Sequence, residues 1–275
     1  MSSVADHTEQ LSLLDRFRKR RRRAVKRTGK KLMAVMSDVI ARQSLVGDAP
    51  VLDNRHFPYL EPLVANWQAV REEIREILKH REAVPLFQEV STDQKRIAKD
   101  TSWRTFILYG FGMKAEKNCR QAPVTCALLE KIPNLQTAWF SILAPGYHIP
   151  AHRGVSKGII RGHLGLIVPT DREKCRMRVG DAICVWREGE IFVFDDTFEH
   201  EVWNDTSEER VILLFDFDRP MRPLGRLLNN GFLRLLKLTS YYREPLRRMQ
   251  SLEDRFEAAV RKADADLEAL SHADG

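Results

Sequence analysis

A series of short apolar runs between residues 137 and 217 constrains the fold more than any other feature of this sequence. The runs recur about every ten residues, and turn-forming pairs such as Pro145-Gly146 and Gly180-Asp181 separate them. Many short strands at this spacing are typical of an all-β sandwich or barrel. The predicted strands are Thr137–Leu143, His163–Val168, Met177–Val179, Ala182–Trp186, Ile191–Phe194, His200–Asn204 and Arg210–Phe217.

Helical patterns flank these strands on both sides. Apolar residues recur along one stripe before residue 80, and leucines recur at helical spacing after Pro223. We therefore predict a mainly β core with flanking α-helices. The flanking elements are a helix over Glu61–His80, a loop over 81–101, a strand over Trp103–Tyr109, a short helix over Pro123–Lys131, a leucine-rich segment over 224–238 and a charged helix over Ser251–Leu270.

The first 49 residues are predicted to form a basic arm with some helical character. Eleven of the 45 basic residues lie between Arg16 and Lys31, so the rest of the chain has 34 basic against 38 acidic residues. Apolar residues flank this run at roughly helical spacing. The pattern over residues 11–40 suits peripheral contact with an anionic membrane surface. Non-specific nucleic-acid contact and an inert solvated tail are the alternatives.

The composition indicates a cytoplasmic protein. No apolar run approaches the roughly 20 residues that span a bilayer, and the first ten residues lack the apolar core of a secretory signal. The four cysteines show no C-x-x-C spacing and are expected to be reduced thiols. We expect the protein in the cytoplasm, peripherally at the inner membrane surface if the arm binds lipid.

Two histidines in the strand-rich region are candidate metal ligands. His152 is predicted in a loop after Pro150, and His200 begins an alternating strand. Two histidines at opposite ends of a barrel can converge on one metal ion in its mouth. Imidazole suits iron, copper, zinc or nickel, and open coordination positions favour catalysis. His148 is interpreted as structural.

Two arginines are candidate binding residues for an anion. Arg161 and Arg210 each begin a strand whose other residues are largely apolar. A buried guanidinium is costly unless it meets an anion, which favours a carboxylate ligand held bidentately. The alternative is a structural ion pair with Glu199, Glu208 or Asp216.

The spacing of these residues resembles that of the aspartyl/asparaginyl β-hydroxylases, a family of Fe(II)- and 2-oxoglutarate-dependent dioxygenases. An H-x-G element places His152 nine residues before Arg161 and eleven before His163, within R-x-H-L-G-L. The element F-D-D-T-F-E-H-E-V-W contains His200, and Arg210 follows ten residues later. Ser141 and Trp103 match the serine and tryptophan that the family carries on earlier strands.

The resemblance covers about Pro50 to Arg222 and implies a double-stranded β-helix (jelly-roll, cupin-like) core. It divides the chain into the arm at 1–49, the dioxygenase domain at 50–222 and a C-terminal helical extension at 223–275. It implies oxidative decarboxylation of 2-oxoglutarate to succinate and CO2, coupled to hydroxylation of a substrate C–H by O2.

The resemblance also assigns roles to particular residues. His152 and His200 would ligate Fe(II), and Arg210 would pair with the distal carboxylate of 2-oxoglutarate. The assisting or lining residues would be Ser141, Trp103, Arg161 and His163. Most 2-oxoglutarate oxygenases carry an acid two residues after the first histidine; Gly154 stands there in this chain, so solvent would complete the site. Asp195 and Asp196 are interpreted as turn residues or as support for the ligands.

The expected substrate is an Asp or Asn side chain of a peptide or a related amino-acid compound, and a lipid acyl chain at the inner membrane surface is a nearly equal alternative. Peptide Asp/Asn β-hydroxylation is one family activity, and the sequence also resembles bacterial hydroxylases of lipid A or ornithine lipid acyl chains. The shared features are the entry Arg55–Leu63, the Asn66-Trp67-Gln68 helix and the ending F-D-F-D-R-P-M-R. A barrel that binds a metal or ligand without catalysis is the alternative of another class.

Overall fold

The computed structural model describes residues 35–90, 98, 102–237 and 240–273. Most of the arm and of the segment 11–40 lies outside the described residues, so the membrane contact assigned to them remains a prediction. Among the described residues, no helix has the length and apolar character needed to cross a bilayer.

Eleven described strands form two antiparallel sheets, as expected for a jelly-roll core. They are β1 Val51–Leu52, β2 Trp103–Gly110, β3 Met113–Lys114, β4 Leu135–Leu143, β5 His148–His152, β6 Ile159–Ile167, β7 Cys175–Val179, β8 Ala182–Val185, β9 Ile191–Phe194, β10 His200–Asn204 and β11 Arg210–Asp218. The larger sheet has the order β1-β9-β6-β11-β4-β2-β3, and the smaller has the order β5-β10-β7-β8. The prediction of a mainly β fold with flanking helices is confirmed.

Helices surround the larger sheet and extend beyond it. They are α1 (35–43), α2 Glu61–Ala65, α3 Trp67–Leu78, α4 Phe87–Val90, α5 Glu116–Gln121, α6 Pro123–Leu129, α7 Pro223–Lys237 and α8 Ser240–Ala273. Short 3₁₀ turns occur at Asn54–His56, Pro58–Leu60, Arg81–Ala83 and Arg172–Lys174.

The larger sheet is buried on both faces, which explains why its strands read as nearly continuous apolar runs. On β4, Phe140 and Ile142 point outward into a core that α3 and α6 cover. The alternate residues Trp139 and Ser141 point inward, toward the smaller sheet. Because side chains alternate along a strand, each long strand contributes one set to the packed core and one set to the space between the sheets.

Two predictions about the helical flank are wrong. The helix predicted over Glu61–His80 is two helices, because Asn66 leaves helical geometry (φ −115°, ψ 17°) and its side chain donates to the Pro62 carbonyl at 2.8 Å. The loop predicted over 81–101 contains a 3₁₀ turn and α4, while 91–97 and 99–101 lie outside the described residues.

The prediction of four reduced thiols is also wrong. Cys119 and Cys126 form a disulfide between α5 and α6, with Cα atoms 5.9 Å apart. The sharp turn between these consecutive helices brings the two Cα atoms within the range a disulfide requires. Cys175 and Cys184 are free and buried.

Candidate active site

The inner faces of the two sheets enclose a cavity of about 330 Å³. On β11, the residues at every second position face it, beginning with Arg210 and ending with Asp216. The smaller sheet contributes His152 and His200. The cavity therefore gathers the polar residues that the sequence places in otherwise apolar strands.

His152 and His200 lie directly opposite each other on adjacent strands. They are register partners across β5 and β10, and their ring centroids are 4.1 Å apart. The prediction that His152 lies in a loop is wrong, since it is the last residue of β5. Pro150 is tolerated there because β5 is the edge strand of the smaller sheet. The histidines meet as a cross-strand pair, not from opposite ends of the barrel.

Backbone contacts fix both imidazoles in one orientation. Nδ1 of His152 lies 2.9 Å from the Pro150 carbonyl, and Nδ1 of His200 lies 2.9 Å from the Phe198 carbonyl. Nδ1 therefore donates to the carbonyl, and Nε2 is the nitrogen that would bind a metal. Burial, together with the neighbouring His152, lowers the pKa of His200 to about 3. A neutral imidazole is the form that ligates metals.

Gly154 leaves room that the carboxyl group of Asp196 fills. A β-carbon on Gly154 would overlap with three side-chain atoms of Asp196, and the Gly154 N–H donates to the Asp196 carbonyl at 2.7 Å. Burial raises the pKa of Asp196 to about 7. The carboxyl group lies 3.5 Å from the Arg161 guanidinium.

Asp195 anchors the turn that precedes His200. Its carboxylate is buried, pairs with the buried Arg219, and accepts from Lys157 Nζ at 2.9 Å. Its other oxygen accepts from the Thr197 N–H at 2.9 Å. This network agrees with the interpretation of Asp195 as a turn residue.

Arg161 and Arg210 differ in whether a carboxylate neutralises their charge. Arg161 forms a bidentate pair with Asp216, its register partner on β11, at 2.6 and 2.9 Å. The Thr137 hydroxyl donates to the same carboxylate at 2.6 Å. The alternative of a structural ion pair, with Asp216 as the partner, therefore holds for Arg161.

Arg210 has no such partner in the part of the chain that the structure describes. Its side chain is buried, no described carboxylate lies within ion-pair distance, and Nε has no hydrogen-bond acceptor. The guanidinium carbon lies 4.8 Å from the centre of the Trp186 ring. Burial lowers the pKa of Arg210 to about 10. A buried cation without an anion, facing a cavity, is the expected state of a binding site for an anionic ligand.

Further polar groups with unmet hydrogen bonds line the same cavity. Both ring nitrogens of His163, Nε1 of Trp139 and the hydroxyl of Thr105 are buried without partners in the described chain. Desolvation by burial lowers the pKa of His163 well below its usual value, so its ring is neutral. The Trp103 indole donates to Ser141 Oγ at 3.0 Å, and these two residues line the cavity beside Thr105. Buried polar groups normally have partners, so this concentration favours a polar ligand.

The side chains available as ligands limit the kind of metal site that the cavity can form. In the described part of the chain, no group of three or more histidine, cysteine, aspartate or glutamate side chains is placed to hold an ion. The histidine pair fits a metal with two protein ligands and several open positions. His148 is not part of this site, since it stacks on Trp203 with centroids 5.5 Å apart and lies 2.8 Å from Glu201.

Sequence reasoning missed one wall of the cavity. Pro245, Leu246 and Met249 of α8 line one side of it, and Leu246 and Met249 pack near Gly110 at the end of β2. The predicted charged helix began only at Ser251, because Pro245 and the polar residues around it obscured the helical pattern. The apolar positions 245, 246 and 249 share one helix face, which is the signal that could have found this wall.

The chain is similar to known hydroxylases. Residues 64–220 match the family model described as Aspartyl/Asparaginyl beta-hydroxylase. The chain is 42% identical over 213 residues to the ornithine lipid ester-linked acyl 2-hydroxylase of Rhizobium tropici, a match that covers 78% of this chain and 76% of that protein.

A second relative is human aspartyl/asparaginyl beta-hydroxylase, 34% identical over 166 residues, with 58% of this chain and 21% of that protein covered. This chain therefore spans about a fifth of the human relative. Among solved structures, a Pseudomonas putida prolyl-4-hydroxylase aligns with a TM-score of 0.36 at 19% identity, over 56% of this chain and 88% of that one.

Proposed function

This chain belongs to the aspartyl/asparaginyl β-hydroxylase family, and on that premise we propose that it is a hydroxylase that uses Fe(II), 2-oxoglutarate and O2. One observation carries the proposal. A cross-strand pair of histidines and a buried arginine that meets no carboxylate among the described residues face the same cavity. This combination supports a metal and an anionic cosubstrate bound side by side.

His152 and His200 would hold the iron through Nε2. Bound iron and 2-oxoglutarate would supply the activation of O2 that couples formation of succinate and CO2 to hydroxylation of a C–H bond. The backbone carbonyls at Nδ1 of each histidine keep the rings oriented and leave Nε2 as the metal-binding nitrogen. The surrounding apolar side chains exclude bulk water.

Arg210 would bind the distal carboxylate of 2-oxoglutarate. Its guanidinium is held by burial and by the Trp186 ring, so little side-chain entropy remains to be lost on binding. Ser141 can add a hydroxyl donor while it accepts from Trp103. The unmet polar atoms of His163 and Trp139 would gain partners in the loaded site.

Asp196 would support the iron site without replacing the missing acid. Its carboxyl group fills the room beside Gly154, next to Arg161 and near the histidine pair. A carboxyl group with a pKa near 7 can exist in either protonation state and could hold a water molecule beside the residues that would bind the metal.

For the substrate, we propose a lipid acyl chain. One wall of the cavity, toward α8, is largely apolar: Trp139 and Ile107 are register partners, and Ile107 packs with Leu246 and Met249 of α8. An apolar passage of this kind suits an alkyl chain better than a charged side chain. The similarity to an ornithine lipid acyl 2-hydroxylase, over most of both chains, gives independent support.

An Asp or Asn side chain of a peptide is the second candidate substrate. The similarity to human aspartyl/asparaginyl beta-hydroxylase favours it. Within the cavity, Arg153 is a largely exposed cation whose nearest carboxylate, that of Glu199, is 3.8 Å away. A substrate carboxylate could compete for that guanidinium.

Mass spectrometry after turnover tests the proposal. The purified chain would be incubated with Fe(II), 2-oxoglutarate and O2, with ornithine lipid, lipid A or an Asp/Asn peptide. We expect a lipid product heavier by one oxygen atom, formed together with succinate. His200→Ala should abolish both, while His148→Ala, a histidine outside the cavity, should leave them intact.

The other outcomes separate the alternatives. Product from the peptide alone would select the second candidate and refute the acyl substrate. Substrate-coupled succinate from the His200→Ala variant would refute the iron assignment. Failure of the unmodified chain to form succinate with any of these substrates would favour a barrel that binds without catalysis.

A further inference from the structure

Helix α7 carries a continuous apolar stripe that no described part of the chain covers. Leu227 and Leu235 are 70% and 66% exposed, and a β-carbon on Gly231 would meet open space. At 100° per residue, the members of this set fall within an arc of about 100° on one side of the helix. The α7 stripe consists of Leu224, Leu227, Leu228, Gly231 and Leu235.

The opposite side of α7 is fixed to the protein. Leu233 and Asn229 are buried, and the Asn229 amide donates to the Gly158 carbonyl at 3.3 Å. Toward the helix C-terminus, Lys237 Nζ lies 3.8 Å from the position that a β-carbon would take on Gly112. The stripe therefore belongs to a docked helix with a defined outer face.

Both contact points lie next to residues that line the cavity. Gly158 ends the β5–β6 loop, in which Val155 lines the cavity and is 41% exposed. Gly112 follows Phe111, another cavity-lining residue, in the β2–β3 turn. A surface that docked on the α7 stripe would therefore lie beside the entrance to the cavity.

Every charged residue in the segment that carries the stripe is basic. Between Asp218 and Glu244 the sequence has six basic residues and no acidic one. Five of the six side chains are exposed; Arg219 is buried with Asp195. The end of α1 packs beside α7, where Gln43 contacts Gly225 and Ser44 forms a β-bridge with Met221, and the eleven basic residues between Arg16 and Lys31 precede α1 in the sequence.

We propose that the α7 stripe is a docking surface for an anionic lipid bilayer. Exposed leucines with basic residues at their side are the features of helices that lie in the membrane interface. A second copy of the chain, or the basic arm folded back, would bring like charges together at this face, so both are less suitable occupants. Docking here would bring the part of the cavity lined by Val155 close to the membrane surface.

Vesicle co-sedimentation of the full chain tests this, without iron or 2-oxoglutarate, so the result is independent of the proposed activity. Phosphatidylcholine vesicles with and without phosphatidylglycerol would be compared at low salt and at roughly 0.5 M salt, where the contribution of exposed basic residues is screened. The matched control for Leu227→Glu is Ile183→Glu, because Ile183 is also an exposed apolar residue (58%) but lies on β8. Melting curves of both variants would verify folding.

We expect the unmodified chain to bind the anionic vesicles and to retain part of that binding at high salt. Leu227→Glu should lower the partition coefficient about tenfold or more, because it places a carboxylate in the interface, and Ile183→Glu should change it less than about twofold. Equal binding by the Leu227→Glu variant, or an equal loss in the Ile183→Glu variant, would overturn the proposal. A dimer in sedimentation velocity that Leu227→Glu dissociates would overturn it as well.

Discussion

The carboxyl group of Asp196 occupies the space into which a side chain at position 154 would project. The two residues belong to different segments, one after β5 and the other before β10, and the Gly154 N–H also donates to the Asp196 carbonyl. The site thus holds a carboxyl group close to the place where most related oxygenases carry a ligand acid, but on a different part of the chain.

Because of this contact, we expect Gly154→Ala to lower the stability of the fold mainly while the Asp196 side chain is present. Gly154 has a negative φ, so alanine introduces overlap without backbone strain. We expect Gly154→Ala to lower the free energy of unfolding by about 1–3 kcal/mol. In an Asp196→Ala background, which removes the three overlapping atoms, the same change should cost much less. Thermal unfolding of the metal-free protein would be measured for the unmodified chain, the two single variants and the double variant. If the losses in unfolding free energy of the two single variants simply add in the double variant, the proposed overlap is contradicted.

Replacing Arg210 should weaken cosubstrate binding specifically. Arg210→Met keeps the side-chain volume and removes the cation, so we expect the apparent Kd for 2-oxoglutarate to rise at least about tenfold, the effect of a lost charged hydrogen bond. Arg176→Met is the matched control, because Arg176 also lies over a tryptophan ring, 5.2 Å from that of Trp203, but outside the cavity. An unchanged Kd in the Arg210→Met variant would disprove the carboxylate-binding role.

The two cavity arginines should have opposite effects on stability. Arg161→Met leaves the Asp216 carboxylate without its bidentate partner and should cost roughly 3 kcal/mol of unfolding free energy. Arg210→Met removes a buried charge that has no counter-ion among the described residues, so the cosubstrate-free protein should be unchanged or more stable. Chemical denaturation of both variants decides this, and equal destabilisation would show that Arg210 has a structural partner.

The wall formed by α8 should limit the length of the substrate chain. Met249→Trp adds bulk beside Ile107 and Leu246, at the end of the apolar passage. We expect turnover of long-chain lipid substrates to fall more than that of short-chain ones. Gln250→Trp, at an exposed position on the same helix, is the control. Equal loss at every chain length would argue that the acyl chain does not reach α8.

The strands were predictable because alternation and turns are local properties. The predicted ranges Ile191–Phe194 and His200–Asn204 agree with the observed β9 and β10. Strand β5 was missed because proline is rare within strands, and Pro150 is tolerated there only because β5 lies at the edge of its sheet. The disulfide between Cys119 and Cys126 was missed because its geometry depends on the turn between two helices.

The cavity residues were predictable from motif spacing, but their partners were not. Arg161 and Arg210 look alike in sequence, since each begins an apolar run. Only the register of β6 on β11 puts Asp216 beside Arg161 and leaves Arg210 without a carboxylate from the described residues. The contribution of α8 depends on packing between distant segments, which local periodicity does not encode.

Anaerobic titration of the full chain with Fe(II) and 2-oxoglutarate tests the central claim most directly. Chelation of the metal by the oxo-acid gives a visible metal-to-ligand charge-transfer band. We expect this band to appear with saturable, one-to-one stoichiometry, to disappear on addition of a strong chelator, and to be absent in His152→Ala and His200→Ala. Absence of the band in the unmodified chain, or its persistence in both variants, would contradict an iron site built on the paired histidines.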